Sequence, residues 1–158
     1  MLFRSKFAKV AGHFLSKGFA VILIGSQRER VVCKELAALA PGAIDLAGMT
    51  ALSDLVALIR RSAISITNDS GPMHLAVALD RPVVSIFGPT DPVWIGPYRR
   101  ADAVLHVDLE CSPCYLRRLK HCRHDHACML GVSAPAVIDR AERILSAQQD
   151  RLAHAHAV

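Results

Sequence analysis

The chain has 158 residues and a formal net charge of +5, with 52% hydrophobic and 21% charged residues. This length is typical of one domain, and so high an apolar content excludes an intrinsically disordered chain. The longest apolar run, residues 19–24, is far shorter than the roughly 20 residues that a transmembrane helix needs. His13 and Lys17 interrupt the apolar stripe after the basic N-terminus, which is atypical of a signal peptide, so we expect a cytoplasmic protein.

Helical and strand patterns alternate along the chain. Apolar spacing and breaker residues predict helices at 5–17, 28–40, 50–61, 73–79 and 135–147, and strands at 19–24, 43–46, 63–67, 83–87 and 104–107. Apolar strands separated by helices indicate a parallel sheet covered on both faces, hence an α/β, Rossmann-like doubly wound domain. We expect this domain to span residues 1–147 and residues 148–158 to form a disordered tail.

The segment at residues 67–74 combines a strand end, small polar residues and a helix start at Pro72. A helix N-terminus presents unpaired N–H groups and the positive end of the helix dipole, which together favour a phosphate. Ser70 and Gly71 allow an anion to approach the backbone, and His74 adds a donor in the first turn. Asp69 suits sugar hydroxyls better, because it repels phosphate. The alternative is that Asp69 and Ser70 only cap the helix.

A second segment, residues 87–92, holds one glycine and two prolines after a buried strand. In a doubly wound sheet its loop lies at the same carboxyl edge as residues 67–74, where such domains bind their ligands. Thr90 and Asp91 are then candidate ligand contacts. As an isolated motif the segment is equally typical of a structural turn.

Residues 68–76 and 79–92, taken together at their spacing, resemble the signature of glycosyltransferase family 9, the ADP-heptose:lipopolysaccharide heptosyltransferases. This family has the GT-B architecture, in which the active site lies between two Rossmann-like domains. The resemblance implies that this chain is the C-terminal, sugar-nucleotide domain. It also implies that the N-terminal acceptor domain and its general base are absent, so no residue here is assigned as catalytic.

The resemblance further implies an inverting transfer of heptose from ADP-heptose to the lipopolysaccharide inner core, with no required cofactor. In the family, Asp69 contacts the heptose, the helix start holds the diphosphate, Glu29 holds the ribose and Met49 packs on the adenine. The predicted donor-binding residues are Glu29, Met49, Asp69, Ser70, Gly71, His74 and Thr90. Implied partners are the sugar nucleotide, the core acceptor and a peripheral contact with the cytoplasmic face of the inner membrane, and no nucleic acid.

The loop at residues 111–128, which we call the cysteine loop, is a third candidate site, after the segments at residues 67–74 and 87–92. Cys111, Cys114, Cys122 and Cys128 lie near three histidines, and the segment resembles heptosyltransferase II more than heptosyltransferase I. Thiolates and imidazoles at such spacing are candidate ligands of a structural zinc. Free thiols are the other interpretation, because the second cysteine pair is wider than a zinc ribbon requires and a cytoplasmic chain is kept reduced.

The cysteine loop contains four basic residues: Arg117, Arg118, Lys120 and Arg123. They predict a surface for an anionic acceptor or lipid headgroups, and the alternative is a basic loop that is only solvated. Two other functions stay open. One is a nucleotide-binding module without catalysis. The other is a zinc-dependent nucleic-acid binder, against which stands an aromatic content of only 5%.

Overall fold

Helices and strands alternate in the computed structural model, which describes residues 2–116 and 119–155. The helices are α1 Leu2–Ser16, α2 Arg30–Leu39, α3 Leu52–Arg61, α4 Gly71–Ala78, α5 Pro92–Ile95, α6 Ala127–Leu130 and α7 Ala134–Ala155. The strands are β1 Ile22–Leu23, β2 Ile44–Asp45, β3 Ser65–Asn68, β4 Val83–Ile86 and β5 Val104–Leu105. Short 3₁₀ turns lie at Gln27–Glu29, Ala101–Ala103 and Leu119–His121.

Every strand pair in the described part of the chain is parallel, and the pairs fall into two sheets. β1 pairs with β2, and β4 lies between β3 and β5. In the second sheet Ser65 is opposite Val83, and Ser85 is opposite Val104. The predicted strand at residues 19–24 is therefore reduced to a short ladder, and the continuous sheet expected from the sequence is divided between β1 and β3.

Helices cover both faces of the sheets, as the doubly wound prediction requires. On one face, α1 and α7 pack on Val84 and Ile86 of β4, and α1 and α2 pack beside β1. On the other face, α3 and α4 enclose Val83 and Phe87 through Ile59 and other apolar side chains. Strictly alternating residues of β4 thus serve two cores, because successive strand side chains point to opposite faces. The α/β, Rossmann-like fold class is confirmed.

The C-terminal prediction is wrong over most of its length. Residues 148–155 continue α7 as regular helix instead of forming a disordered tail. They contain glutamine, arginine, leucine and alanine, which favour helix, and neither glycine nor proline. Residues 156–158 lie outside the described part. The first helix also begins earlier than expected, so Ser5 lies inside α1 instead of capping it.

Within residues 2–116 and 119–155, none of the helices combines the length and the apolar character needed to cross a bilayer.

Candidate functional site

The predicted donor-binding residues lie on four loops that follow β1, β2, β3 and β4. Within each sheet the strands are parallel, so the loops after β1 and β2 lie at the carboxyl edge of one sheet and those after β3 and β4 at the carboxyl edge of the other. We call these carboxyl ends together the carboxyl rim: residues 25–29, 47–49, 68–74 and 88–91. Ligands of doubly wound domains bind at this edge. All the predicted residues therefore follow the carboxyl ends of strands, and four of them share the connection from β3 into α4.

The connection from β3 to α4 leaves the start of the helix open. Ser70 is the N-cap residue in extended backbone, yet its side chain makes no capping hydrogen bond. Its hydroxyl instead lies 2.8 Å from Thr67 Oγ1 and donates to the carbonyl oxygen of Asn68 at 3.1 Å. The side chain of Ser70 therefore does not cap the helix, in contrast to the alternative prediction.

Nothing crowds the first turn of α4. A Cβ built on Gly71 would meet no atom within 4 Å, and His74 is exposed. Pro72 has no N–H, and the N–H of Met73 donates to the carbonyl oxygen of Ser70 at 3.1 Å. The N–H of Gly71, at the first helical position, has no acceptor within the helix. This open start has the chemistry of an anion site.

Two buried polar atoms at the carboxyl rim have no hydrogen-bond partner among the described residues: Asn68 Oδ1 and Thr90 Oγ1. Asn68 ends β3 and Thr90 follows β4, the neighbouring strand. A buried polar atom without a partner costs free energy, so such atoms mark places where a polar ligand is accommodated. Arg81 Nε is also buried without a partner among the described residues, but it lies near the amino end of β4, away from the carboxyl rim.

Glu29 has a structural role in this chain. Its Oε2 accepts from the N–H and the hydroxyl of Ser26 at 2.7 and 2.6 Å, which forms a capping box at the 3₁₀ turn. The hydroxyl bond and then the backbone bond lower the pKa of Glu29 below its ordinary value. The carboxylate is therefore ionised and oriented on the loop that follows β1. Met49, on the loop after β2, is 67% exposed, as a side chain that packs on a flat ring requires.

The cysteine loop is bound to the carboxyl rim. The hydroxyl of Ser112 donates to Gly88 O at 2.6 Å, and the N–H groups of Cys114 and Tyr115 donate to Pro89 O at 3.0 and 2.7 Å. A Cβ added at Gly88 would lie 2.1 Å from Met129 Sδ, so the Met129 side chain would have to move to accommodate it. The sequence did not predict this contact between the cysteine loop and the loop that carries Thr90.

The four cysteines line one cavity of about 190 Å³, together with His121 and His124. All four are free thiols, and burial raises the pKa of Cys128. Within the described residues, however, no group of three or more His, Cys, Asp or Glu side chains is placed to hold a metal ion. The side chains are gathered, but not as a closed ligand set. Arg117 and Arg118, predicted as part of a basic surface, lie outside the described residues.

The family model of glycosyltransferase family 9 (heptosyltransferase) matches residues 3–124. The chain belongs to this family. Family 9 relatives include lipooligosaccharide heptosyltransferase 2 of Campylobacter jejuni, 34% identical over 148 residues that cover 89% of this chain and 45% of the relative. The Haemophilus influenzae enzyme of the same name is 38% identical over 96 residues, which cover 58% of this chain and 28% of that protein.

A solved family 9 structure has the same fold. The Escherichia coli ADP-heptose lps heptosyltransferase II superposes with a TM-score of 0.76 at 25% identity, covering 92% of this chain and 42% of that chain. The resemblance to family 9 and to heptosyltransferase II is thereby confirmed. The chain spans less than half the length of these relatives, so their complete activity is not carried over with the family name.

Asn68 is the residue of interest that sequence reasoning left out of the predicted site. The sequence places it in the loop after the strand predicted at residues 63–67, and its place within the residues 68–76 motif is the available signal. Its buried, unpartnered oxygen could be recognised only after β3 and β4 were placed side by side.

Proposed function

We propose that this chain is the donor-binding half of a heptosyltransferase and binds ADP-heptose at the carboxyl rim. The observation that carries the proposal is the open start of α4, where the side chain of Ser70 does not cap the helix. Buried Asn68 Oδ1 at the end of β3 and Thr90 Oγ1 on the loop after β4 add to it, since neither has a partner among the described residues. A sugar diphosphate supplies the negative charge and the hydrogen-bonding groups that such a place accommodates.

Each predicted residue has a role that its surroundings permit, and the buried hydroxyl of Thr90 is a hydrogen-bonding contact for the sugar nucleotide. The N–H of Gly71 and the side chain of His74 donate to the diphosphate, and Ser70 joins them when its hydroxyl turns from the carbonyl oxygen of Asn68 to the ligand. The helix dipole favours the charge that builds on the diphosphate as ADP leaves. Asp69 accepts from heptose hydroxyls. Glu29 accepts from the ribose through Oε1, since Ser26 occupies Oε2. Met49 covers the adenine.

In the proposed reaction a hydroxyl of the lipopolysaccharide core attacks the anomeric carbon of the heptose. The new glycosidic bond forms as the bond to the ADP oxygen breaks, with inversion at that carbon. A general base, which we place in the acceptor domain of the complete enzyme, takes the hydroxyl proton. Exposed Lys120 and Arg123 of the cysteine loop give the chain a basic surface for the anionic acceptor and for the membrane face.

Ser70→Asp tests the donor site directly. The new carboxylate is a favourable N-cap, so the helix is not weakened, but it repels a bound phosphate. We expect the affinity for ADP, measured by calorimetry, to fall by about tenfold or more, which is about 1.4 kcal/mol. The melting temperature should not fall.

The matched control is Ser146→Asp, the same change at an exposed position of α7. It should leave the affinity for ADP unchanged. Equal affinities of the wild type, S70D and S146D would show that ADP binds elsewhere or not at all.

For the cysteine loop we propose free thiols rather than a structural zinc, because its thiols and imidazoles line a common cavity without converging as ligands. Elemental analysis of protein purified without chelator should then find far less than one zinc per chain, and chelator should not move the melting curve. One equivalent of zinc, with destabilisation on its removal, would favour the zinc site, because metal binding energy is folding energy.

A further inference from the structure

The loop that follows β4 is anchored at both of its ends. Before the loop, the N–H of Phe87 donates to Leu105 O of β5 at 2.9 Å. After the loop, Asp91 caps α5 by accepting from the N–H of Val93 at 2.8 Å. Residues 88–90, which we call the β4 loop, therefore run between two points whose backbone is already fixed.

The middle of the β4 loop is held by the cysteine loop. Ser112 Oγ donates to Gly88 O at 2.6 Å. The N–H groups of Cys114 and Tyr115 both donate to Pro89 O, at 3.0 and 2.7 Å. The two successive carbonyl groups of the β4 loop thus accept hydrogen bonds from a segment that begins 24 residues later in the chain.

A further side of the β4 loop lies against α6. A Cβ built on Gly88 would lie 3.3 Å from Cys128 Sγ and still closer to Met129, so these two side chains fill the space beside the glycine. The β4 loop is therefore enclosed between α6 and residues 112–115. A backbone held in this way leaves Thr90 little freedom to turn its side chain toward another partner.

The hydroxyl of Thr90 shows the effect of this fixed backbone. Its Oγ1 is buried and has no hydrogen-bond partner among the described residues. A buried unpaired hydroxyl costs free energy, so a loop that was free to move would expose it to water or pair it with the protein. Unfavourable arrangements persist where the surrounding structure determines them, and they cluster at ligand sites. The contacts of the β4 loop are that surrounding structure.

Of the three hydrogen bonds from the cysteine loop, only that of Ser112 is made by a side chain. The other two are made by backbone N–H groups, which most substitutions retain. Ser112 is partly buried and lies outside the carboxyl rim, so it has no proposed contact with the sugar nucleotide. Loss of its hydroxyl can therefore reach the donor site only through the β4 loop.

We propose that Ser112 is a positioning residue of the donor site, whose hydroxyl holds the β4 loop so that the Thr90 hydroxyl stays in place for the sugar nucleotide. This inference rests on the proposed donor site and extends it to a residue that does not touch the ligand. The cysteine loop then contributes to donor binding by fixing the backbone on which a ligand contact is carried.

The test is a double-mutant cycle, measured by calorimetry with ADP-heptose. Ser112→Ala removes the donor and should lower the affinity at least about threefold, a coupling within the range shown by residues that share contacts. In a Thr90→Val background the same change should alter the affinity little, because the contact that Ser112 positions is already absent. Ser112→Thr keeps the hydroxyl and should keep the affinity.

The matched control is Ser62→Ala. Ser62 Oγ donates to Ile59 O at 2.8 Å, so this change also removes a side-chain bond to a backbone carbonyl, but at the end of α3, away from the carboxyl rim. Both alanine variants should lower the melting temperature, and only S112A should lower the affinity. Equal affinities of S112A and the wild type, or equal losses with and without Thr90→Val, would overturn the inference.

Amide hydrogen exchange of the wild type gives a second measurement, which needs no variant to fold. Coupling is reciprocal, so a ligand whose binding depends on the held loop must in turn stabilise the contacts that hold it. The amides of Cys114 and Tyr115 should exchange at least about threefold more slowly with ADP-heptose bound, with amides of α3 as the unchanged reference. Unchanged exchange in a chain that binds ADP-heptose would overturn this inference alone, whereas absence of binding would overturn the proposed donor site together with it.

Discussion

At the scale of single residues, Thr67 and Thr90 form a natural comparison. Both threonines are partly buried; Thr67 lies in β3, and Thr90 lies on the loop that follows the neighbouring strand β4. The hydroxyl of Thr67 contacts Ser70 Oγ at 2.8 Å, whereas Thr90 Oγ1 is buried without a partner among the described residues. A satisfied hydroxyl contributes to stability and an unsatisfied one reduces it, so the two sites should answer the same substitution with opposite signs.

We predict that Thr90→Val raises the free energy of unfolding by about 1 kcal/mol, because it removes an unpaired buried hydroxyl while keeping the shape of the side chain. The affinity for ADP-heptose should fall at the same time, by about threefold to tenfold, if the hydroxyl is a ligand contact. Denaturant unfolding and calorimetry measure the two quantities.

Thr67→Val is the comparison variant, and it should lower the free energy of unfolding by about 1 kcal/mol. If Thr90→Val destabilises the chain as Thr67→Val does, the Thr90 hydroxyl has a partner and its proposed role in the donor site is wrong.

Residue types at the carboxyl rim could be predicted better than their contacts. The open start of α4 agrees with Ser70, Gly71 and Pro72, residue types that favour a turn followed by the first turn of a helix. The sequence places Glu29 in the helix predicted at residues 28–40, whereas it lies in a 3₁₀ turn with a capping box that depends on how the chain leaves β1. Its role toward a ribose came from the family resemblance and stays a prediction.

At the scale of elements, the N-terminal and C-terminal helices are joined by side chains 125 to 129 residues apart in sequence. His13 Nε2 lies 2.8 Å from Glu142 Oε1, and Lys17 of the segment after α1 also pairs with Glu142. Lys17 and His13 lower the pKa of the Glu142 carboxyl below its usual value of 4.5. The ionised form is thus the one that holds the two helices together.

A carboxyl whose pKa is lowered by folding contributes stability above its unfolded pKa and loses it as pH falls through its folded pKa. We therefore predict that Glu142→Gln lowers the melting temperature at pH 7 by no more than a few degrees, since the pair is exposed. Below the folded pKa the difference from the wild type should disappear.

Thermal melts at neutral and strongly acidic pH measure this effect. Glu110→Gln, a change at an exposed glutamate outside any described ion pair, is the control and should show no such difference. A melting-temperature deficit of E142Q that persists in acid would mean that the side chain acts through packing instead of charge.

The order of elements was predictable because apolar periodicity and breaker residues are local. The lengths were not. β1 includes only Ile22 and Leu23 of a six-residue apolar run. The length of a strand depends on pairing with a neighbouring strand, and the sequence of the strand itself does not contain that information. α7 continues past residue 147 because nothing in residues 148–155 ends a helix. The docking of the cysteine loop on Gly88 and Pro89 depends on tertiary contacts that no local pattern encodes.

At the scale of the whole molecule, the carboxyl rim is one wall of the proposed active site. A transferase must hold the acceptor hydroxyl, a base and the donor in one geometry, which can supply roughly 7–11 kcal/mol of the barrier. General-base catalysis adds about 10²–10⁴-fold. We predict that these 158 residues bind ADP-heptose but do not transfer heptose by themselves.

The measurement is a transferase assay with ADP-heptose and a lipopolysaccharide-core acceptor, with and without an added acceptor domain from a family 9 relative. Activity should appear only in the presence of that domain. Turnover by the chain alone would place the base within these residues, and Asp69 and Asp91 would be the first to substitute.

The position of α1 has a consequence for how the molecule unfolds. Phe7 of α1 packs against both the cluster over β3 and β4 and the cluster beside β1. α1 therefore connects two sheets that share no strand pairing among the described residues. Cooperative unfolding requires that the loss of one part weaken the other. In this chain that coupling passes through Phe7 of α1 and through Val21 beside β1, which both pack against the two clusters. We therefore expect Phe7→Ala to make the unfolding transition less cooperative as well as to lower stability.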